Sequence, residues 1–230
     1  MLYFLIIISI TGNEILQKAD SIINAPEDKE EKLTTIVIEK DGTQKERETI
    51  MFEKSNMRLL RFLSPAEDRG IGFLSISDEL MYIYLPAFNK IRRIASHVKK
   101  ENFQDTDFSY DDLGTSDYLE KWNAEIEEEN DSTYTIILNP KKEKEEYSKL
   151  MMIVKKDKYL IKNIEFFKDD ELIKTLTMKD YKKVNSYWVA TYLEMKTIES
   201  DHKTIMKIDD IKFDQSLSDD VFTKRNLKKF

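Results

Sequence analysis

The chain has 230 residues, of which 40% are apolar and 35% are charged, and its net charge is −7. This composition can build the core of a large domain, and it excludes wholesale disorder. The net negative charge does not indicate a protein whose surface as a whole attracts nucleic acid or an anionic membrane. The absence of cysteine excludes disulfides, a thiol nucleophile and a lipid-modified N-terminal cysteine. Only two histidines, His97 and His202, are present, so we expect no metal and no cofactor.

A short apolar run opens the sequence. Leu2–Ile10 is about half the length that a membrane-spanning helix needs, and it matches the hydrophobic region of a secretory signal. No basic residue precedes the run, so a buried N-terminal strand and a start codon misplaced within a longer signal stay open as alternatives. We predict that residues 1–12 are the remnant of a signal peptide that is removed on export, and that residues 13–230 form a single exported domain.

The next segment has the period of a helix. Apolar side chains recur three and four positions apart from Ile15 to Ile23, which places them on one helical face. Asn13 is the predicted N-cap, and Pro26 marks the end of the segment. We therefore predict one N-terminal helix that packs its apolar face on the rest of the domain.

After Pro26 the sequence is typical of β-structure nearly to its end. About a dozen β-rich runs lie between Leu33 and Phe213, and turn signals such as Asp41-Gly42 and Asp169-Asp170 separate them. Such short connections make antiparallel hairpins. The predicted fold class is mostly β: a large antiparallel meander, closed or half closed into a barrel, with an N-terminal helix and short helical turns in the loops.

A long polar loop interrupts the strands. Ser96–Ser116 carries several apolar side chains, and loops of this length are usually functional or packed as lids. Just before the loop, the strand Ile91–Ala95 contains two adjacent arginines, one of which would face inward and need a carboxylate partner. We predict a hydrogen bond between one of these arginines and an aspartate of the loop. The pair is either a structural strut that pins the loop to the sheet or a polar anchor that latches the loop at the mouth of an apolar pocket. The predicted lid and latch residues are Arg92, Arg93, Asp107, Phe108 and Asp112.

A barrel of this many strands is hard to fill with side chains alone, so it tends to enclose a cavity. Apolar lining would then indicate an apolar ligand, whereas the alternative interpretation is a solidly packed core. Alternation along the strands gives the candidate lipid-binding residues. They are Leu59, Leu63, Phe73, Tyr82, Tyr84, Ile94, Met151, Ile153 and Trp188.

The sequence offers little for catalysis. It has no nucleophile-elbow motif, and the adjacent Ser96 and His97 do not make a triad. The acidic residues Asp105 to Asp112 lack the spacing of an EF-hand calcium loop. We therefore expect no catalytic residue and no metal site.

Three blocks resemble the LolA-like family of outer-membrane lipoprotein-sorting proteins. They are Gly70–Pro86, the segment Ile91-Arg92-Arg93-Ile94, and Asp107–Leu113, which is similar to the family's G-S-D-F-S-Y-x-D-L pattern. The resemblance implies a half-open barrel, lidded by helices, that holds acyl chains. It also implies a carrier that accepts a lipoprotein's lipid at the inner membrane and passes it to a receptor at the outer membrane. Asp105-Thr106 departs from the family's glycine and serine, which leaves the role of Asp107 open.

The resulting hypothesis is a soluble periplasmic carrier without enzymatic activity. Its expected partners are lipoprotein acyl chains or another lipid, an inner-membrane export complex and an outer-membrane acceptor. We expect no nucleic acid and only transient membrane contact. The alternatives are a regulatory or scaffolding module that uses the same barrel to sense lipids, and a lipid esterase.

Overall fold

A computed structural model describes residues 10–114, 117–142 and 146–229. Most of the proposed signal segment lies outside these residues. The helices are α1 (Gly12–Ile23), α2 (Tyr118–Lys121) and α3 (Lys224–Leu227), and single 3-10 turns cover Pro86–Phe88 and Asp219–Phe222. The strands are β1 (Asp28–Ile38), β2 (Gln44–Lys54), β3 (Met57–Phe62), β4 (Gly72–Ser77), β5 (Leu80–Leu85), β6 (Lys90–Arg93), β7 (Trp122–Glu129), β8 (Thr133–Pro140), β9 (Lys149–Lys155), β10 (Ile161–Lys168), β11 (Glu171–Val184), β12 (Tyr187–Thr197) and β13 (His202–Phe213).

All thirteen strands form one antiparallel sheet in the order β6-β5-β4-β3-β2-β1-β13-β12-β11-β10-β9-β8-β7. Each half of the sheet is a meander of neighbours in sequence, and the two halves meet where β1 pairs with β13. The edge strands β6 and β7 do not pair with each other, so the sheet stays open. The predicted mostly β, half-open antiparallel architecture is confirmed.

Helix α1 begins two residues earlier than predicted, because its N-cap is Thr11 and not Asn13. Thr11 and Glu14 form a capping box, in which the Thr11 N–H donates to the Glu14 carboxylate at 2.7 Å. The Asn13 side chain instead accepts a hydrogen bond of 2.8 Å from the backbone N–H of Ala124 in β7. Helix α1 is thereby tied to the sheet edge. Its buried side chains include Ile15, Leu16 and Ala19.

The core has two parts, one on each face of the sheet. The larger cluster lies between the sheet, α1 and the lid loop, which we define as residues 94–114 between β6 and α2. The smaller cluster contains Leu59, Leu74, Phe222 and Leu227, and it packs the C-terminal segment against the other face of β3 and β4. Adjacent strand residues point to opposite faces, which explains why Leu59 and its neighbour Leu60 join different clusters.

Candidate functional site

A cavity of about 270 Å³ lies between the sheet, α1 and the lid loop. Its walls are mostly apolar and come from α1, the lid loop and strands of both halves of the sheet. Apolar lining residues include Ile22, Ile23, Leu33, Met51, Phe108, Leu113, Trp122, Leu176, Met178, Trp188, Ala190, Leu193, Met195, Met206, Ile208 and Ile211. This is the arrangement that binding sites for apolar small molecules use.

A buried ionic group interrupts one apolar wall. Glu53 on β2 accepts hydrogen bonds from Lys29 Nζ at 2.7 Å and from Arg58 Nε at 2.9 Å. Burial raises the pKa of Glu53, but the charges of Arg58 and Lys29 outweigh it and hold that pKa at about 2. Arg58 Nη1 also donates to the backbone carbonyls of Leu113, at 3.0 Å, and Gly114. Arg58 therefore joins the sheet to the end of the lid loop.

A second carboxylate beside this group, that of Glu31, receives no hydrogen bond from the residues that the structure describes. Glu31 on β1 lines the cavity with only 7% of its surface exposed, and its cross-strand neighbours are Met51 and Ile211. Burial raises the pKa of Glu31 from 4.5 to about 7, although the charges of Lys29 and Arg58 act in the opposite direction.

The middle of the lid loop is fixed by Asp107, which is completely buried. Its carboxylate accepts hydrogen bonds from the hydroxyls of Thr197 and Thr204 and lies 2.7 Å from Nδ1 of His202. The backbone N–H of Asp107 donates in turn to the Thr204 hydroxyl at 2.8 Å. These partners lie on β12 and β13, so Asp107 attaches the loop to the centre of the sheet.

Asp112 makes a further attachment near the cavity. It accepts hydrogen bonds of 2.8 Å from the hydroxyl of Tyr147 and from the backbone N–H of Ser109, and Lys174 Nζ lies 3.4 Å away. Burial, together with the charge of Asp112, raises the pKa of nearby Glu146 to about 7. The lid loop therefore rests on a buried polar network.

The prediction that Arg92 or Arg93 donates a hydrogen bond to Asp107 or Asp112 is wrong. Arg92 and Arg93 are both exposed, because β6 is a four-residue edge strand. Arg93 donates to the backbone carbonyl of Glu79 at 3.3 Å. Within the described part of the chain, neither arginine bonds to Asp107 or Asp112, whose partners lie on other strands. The two aspartates do hold the lid loop, as the sequence suggested, but through threonine, histidine, tyrosine and lysine.

The sequence analysis missed two arginines that contact the lid loop. Arg58 bonds to the backbone at the end of the loop, and Arg47 Nη2 lies 3.6 Å from the carboxylate of Asp105. A signal existed for Arg58, because Glu53 and Arg58 flank the tight turn between β2 and β3 and form a cross-strand pair of opposite charge.

Among the predicted cavity residues, the structure places Trp188 on the lining, and Phe108 of the predicted lid also contacts the cavity. Leu59, Tyr82 and Tyr84 belong instead to the smaller cluster on the opposite face of the sheet. Leu63 follows the end of β3 and is half-buried.

The other predicted lining residues also lie elsewhere. Phe73 and Ile94 are buried within the larger cluster. Met151 and Ile153 are half-buried and alternate with Leu150, which does line the cavity. The predicted face of β9 was thus shifted by one residue, which in a strand exchanges the two faces.

The described residues contain no group of three or more acidic or histidine side chains placed to hold a metal ion. In the same residues, no helix is long and apolar enough to cross a membrane.

Comparison with solved structures identifies the fold. The chain matches an outer-membrane lipoprotein-sorting protein domain from Vibrio parahaemolyticus with a TM-score of 0.86 and 24% identity, over 95% of this chain and 98% of that one. It matches a DUF1329 family protein from Desulfovibrio piger with a TM-score of 0.88 and 22% identity, over 94% and 97% of the two chains. A LolA superfamily protein from Nitrosomonas europaea matches with a TM-score of 0.80 and 18% identity, over 95% and 100%. The predicted resemblance to LolA-like proteins is confirmed as a likeness of fold, which this chain shares with these three structures.

The sequence comparison gives the family. A family model described as "Uncharacterized protein" matches residues 53–229, and the chain belongs to that family. No curated protein matches the sequence.

Proposed function

We propose that this protein is an exported carrier that binds the acyl chains of a lipid or a lipoprotein and delivers them toward the outer membrane. The observation that carries the proposal is the apolar cavity between the sheet, α1 and the lid loop. The likeness of the fold to a lipoprotein-sorting domain supports the same class of cargo. In this proposal the protein acts in the periplasm and without catalysis.

The lining suits a flexible hydrocarbon. Four methionines, Met51, Met178, Met195 and Met206, contact the cavity, and unbranched thioether side chains adapt to ligands of irregular shape. Each methylene that leaves water contributes about 0.8 kcal/mol. A single alkyl chain therefore gains enough from burial to offset much of the entropic cost of binding.

Loading requires the lid loop to move. The cavity volume of about 270 Å³ lies at the lower end of ligand-sized pockets, so two acyl chains need more room than the closed site offers. The loop end at Leu113 and Gly114 is held by Arg58, whereas Asp107 fixes the loop farther from the cavity. We infer that the Leu113 end opens first while Asp107 serves as the fixed point.

Filling the cavity tests the carrier proposal. Ala190 is a small buried lining residue on β12, so Ala190→Phe would occupy space that the ligand needs. We expect the parent protein to take up a fluorescent fatty-acyl probe and Ala190→Phe to lose most of this uptake. Ala87→Phe adds the same ring at an exposed turn and should bind as the parent does. Equal uptake by all three proteins, or uptake by none, would contradict the proposal.

Native mass spectrometry of the protein purified from periplasmic extract identifies the cargo. A mass increase that corresponds to a lipid or an acylated protein is expected. A protein partner bound in a fixed ratio without lipid would instead support a regulatory or scaffolding module.

A further inference from the structure

Glu31 places a carboxylate in a mostly apolar cavity, and an alkyl chain alone offers this carboxylate no hydrogen-bond donor. Glu31 as a residue is only 7% exposed and lines the cavity, and none of the described residues donates a hydrogen bond to its carboxylate. Buried carboxylates are normally hydrogen-bonded, because a bare one costs several kcal/mol. Leucine or methionine at this position would match the neighbouring Met51 and Ile211 at no such cost.

The two nearby cations, Lys29 and Arg58, do not supply that donor, because both are bonded to other groups. Lys29 bonds to Glu53, and Arg58 bonds to Glu53 and to the lid carbonyls. With Glu31 ionised, the two cations and the two carboxylates sum to zero charge. A ligand carboxylate placed here would therefore add uncompensated negative charge, whereas a donor group would satisfy Glu31.

We propose that Glu31 accepts a hydrogen bond from the head group of the bound amphiphile, so that the preferred ligand carries an N–H or O–H donor, and not a carboxylate, beside its acyl chain. This inference rests on the proposed carrier function and specifies its ligand. Two sources share the donor chemistry: a cationic amine and a neutral hydroxyl or amide head. Glu31 lies beside apolar lining residues, so the alkyl chain can extend along the wall while its head remains at the ionic group.

The test compares three amphiphiles of equal chain length: a fatty acid, a monoacylglycerol and a primary alkyl amine. Each competes with a fluorescent apolar probe for the full chain at pH 8, where Glu31 is mostly ionised. We expect the amine or the monoacylglycerol to bind about tenfold more tightly than the fatty acid, as one charge-assisted hydrogen bond allows. Whichever of the two binds more tightly identifies the source of the donor.

Variants assign the preference to Glu31. Glu31→Gln keeps the shape but removes the charge, Glu31→Leu removes the acceptor, and both should bring the affinity ratio toward one. Glu30→Gln is the matched control, because Glu30 is the adjacent residue on the opposite face, where it pairs with Lys212 at 2.9 Å. Thermal melting confirms that each variant folds, and either Glu31 variant is sufficient for the comparison.

Three results separate the two proposals. A donor preference that is lost in the Glu31 variants and kept in Glu30→Gln supports this inference. Tight binding of all three amphiphiles with the same ratios in parent and variants overturns it and leaves the carrier function standing. Failure of every amphiphile to displace the probe contradicts the carrier function itself.

Discussion

Glu31 makes the stability of the protein depend on pH. Its carboxyl has a pKa of about 7 in the folded chain and about 4.5 when unfolded, so the folded state holds the proton more tightly. Stability therefore falls as pH rises from about 4.5 to 7. The charged groups that act on it are Lys29, Glu53 and Arg58, and its other strand neighbours are apolar.

Glu31→Gln should remove this dependence. The shift of the Glu31 pKa corresponds to roughly 3 kcal/mol, so the variant should be more stable than the parent by about that amount at pH 8 and similar to it at pH 4. Urea unfolding at both pH values measures the difference. If the unfolding free energies of the two proteins change with pH in parallel, folding does not raise the pKa of Glu31.

Asp107 provides a second prediction at the residue scale. Asp107→Ala leaves the hydroxyls of Thr197 and Thr204 and the ring of His202 without their shared acceptor. Because hydrogen bonds to a charged group contribute about 1.5–3 kcal/mol each, we expect unfolding free energy to fall by about 3 kcal/mol. Arg92→Ala, on the exposed edge strand, should change it by less than about 0.5 kcal/mol. Similar losses in both variants would disprove this assignment.

The lid loop is the element on which cargo exchange depends. Arg58→Met breaks the hydrogen bonds to Leu113 and Gly114 and leaves Glu53 with Lys29 as its bonded cation. We expect a loss of about 3–5 kcal/mol, as for other broken buried pairs, and faster release of bound probe. Stopped-flow displacement measures the release rate, with Arg92→Met as the matched control. An unchanged rate in Arg58→Met would show that this end of the loop does not limit release.

Helix α1 depends on close contact with the sheet edge. A Cβ at Gly12 would lie 2.5 Å from the backbone oxygen of Ala124, and backbone cannot move aside as a flexible side chain can. Gly12→Ala should therefore lower stability by about 1–3 kcal/mol, although alanine favours helices. Gln17→Ala on the exposed face of the same helix should be neutral or slightly stabilising. Thermal melts of the two variants decide the matter, and a stabilised Gly12→Ala would contradict the contact.

At the scale of the element, the sequence located the strands but did not show which face of the sheet each side chain occupies. Turn signals and alternation located the strands, because hairpin boundaries are encoded locally. The faces were not encoded locally. Leu59 and Leu60 are equally apolar, and Phe222 and Leu227 from the distant C-terminus help to cover the face on which Leu59 lies. Register shifts, as between Lys32 and Leu33, further break simple alternation.

In the whole molecule, β1 and β13 join the two halves of the sheet, far from either edge. Each is paired on both sides, whereas β6 and β7 each have one open edge. We expect backbone amides of β1 and β13 to exchange most slowly with deuterium and those of β6 to exchange early. Mass spectrometry of peptides after timed exchange measures the order. Early exchange across β1 and β13 would mean that the two halves of the sheet separate readily.

The site illustrates why the overall architecture was easier to predict than the cavity wall. A dozen short hairpins already imply one large antiparallel sheet, whatever their exact registers. The ionic group needs Lys29, Glu53 and Arg58 from three strands and the end of the lid loop at one place. That convergence follows from the pairing of β1, β2 and β3, which no single segment reveals.

The pairing of β1 with β13 also constrains how the molecule is made. Among the strands of the sheet, β1 comes first along the chain and β13 comes last, so β1 lacks its second neighbour until every other strand has been made. Strands β1 to β6 can pair with one another before β13 is made. Until then the free edge of β1 has unpaired backbone groups, which can pair with another chain. The sheet is thus completed only by its last strand, and a truncated product that stops before His202 exposes both β1 and β12 to aggregation.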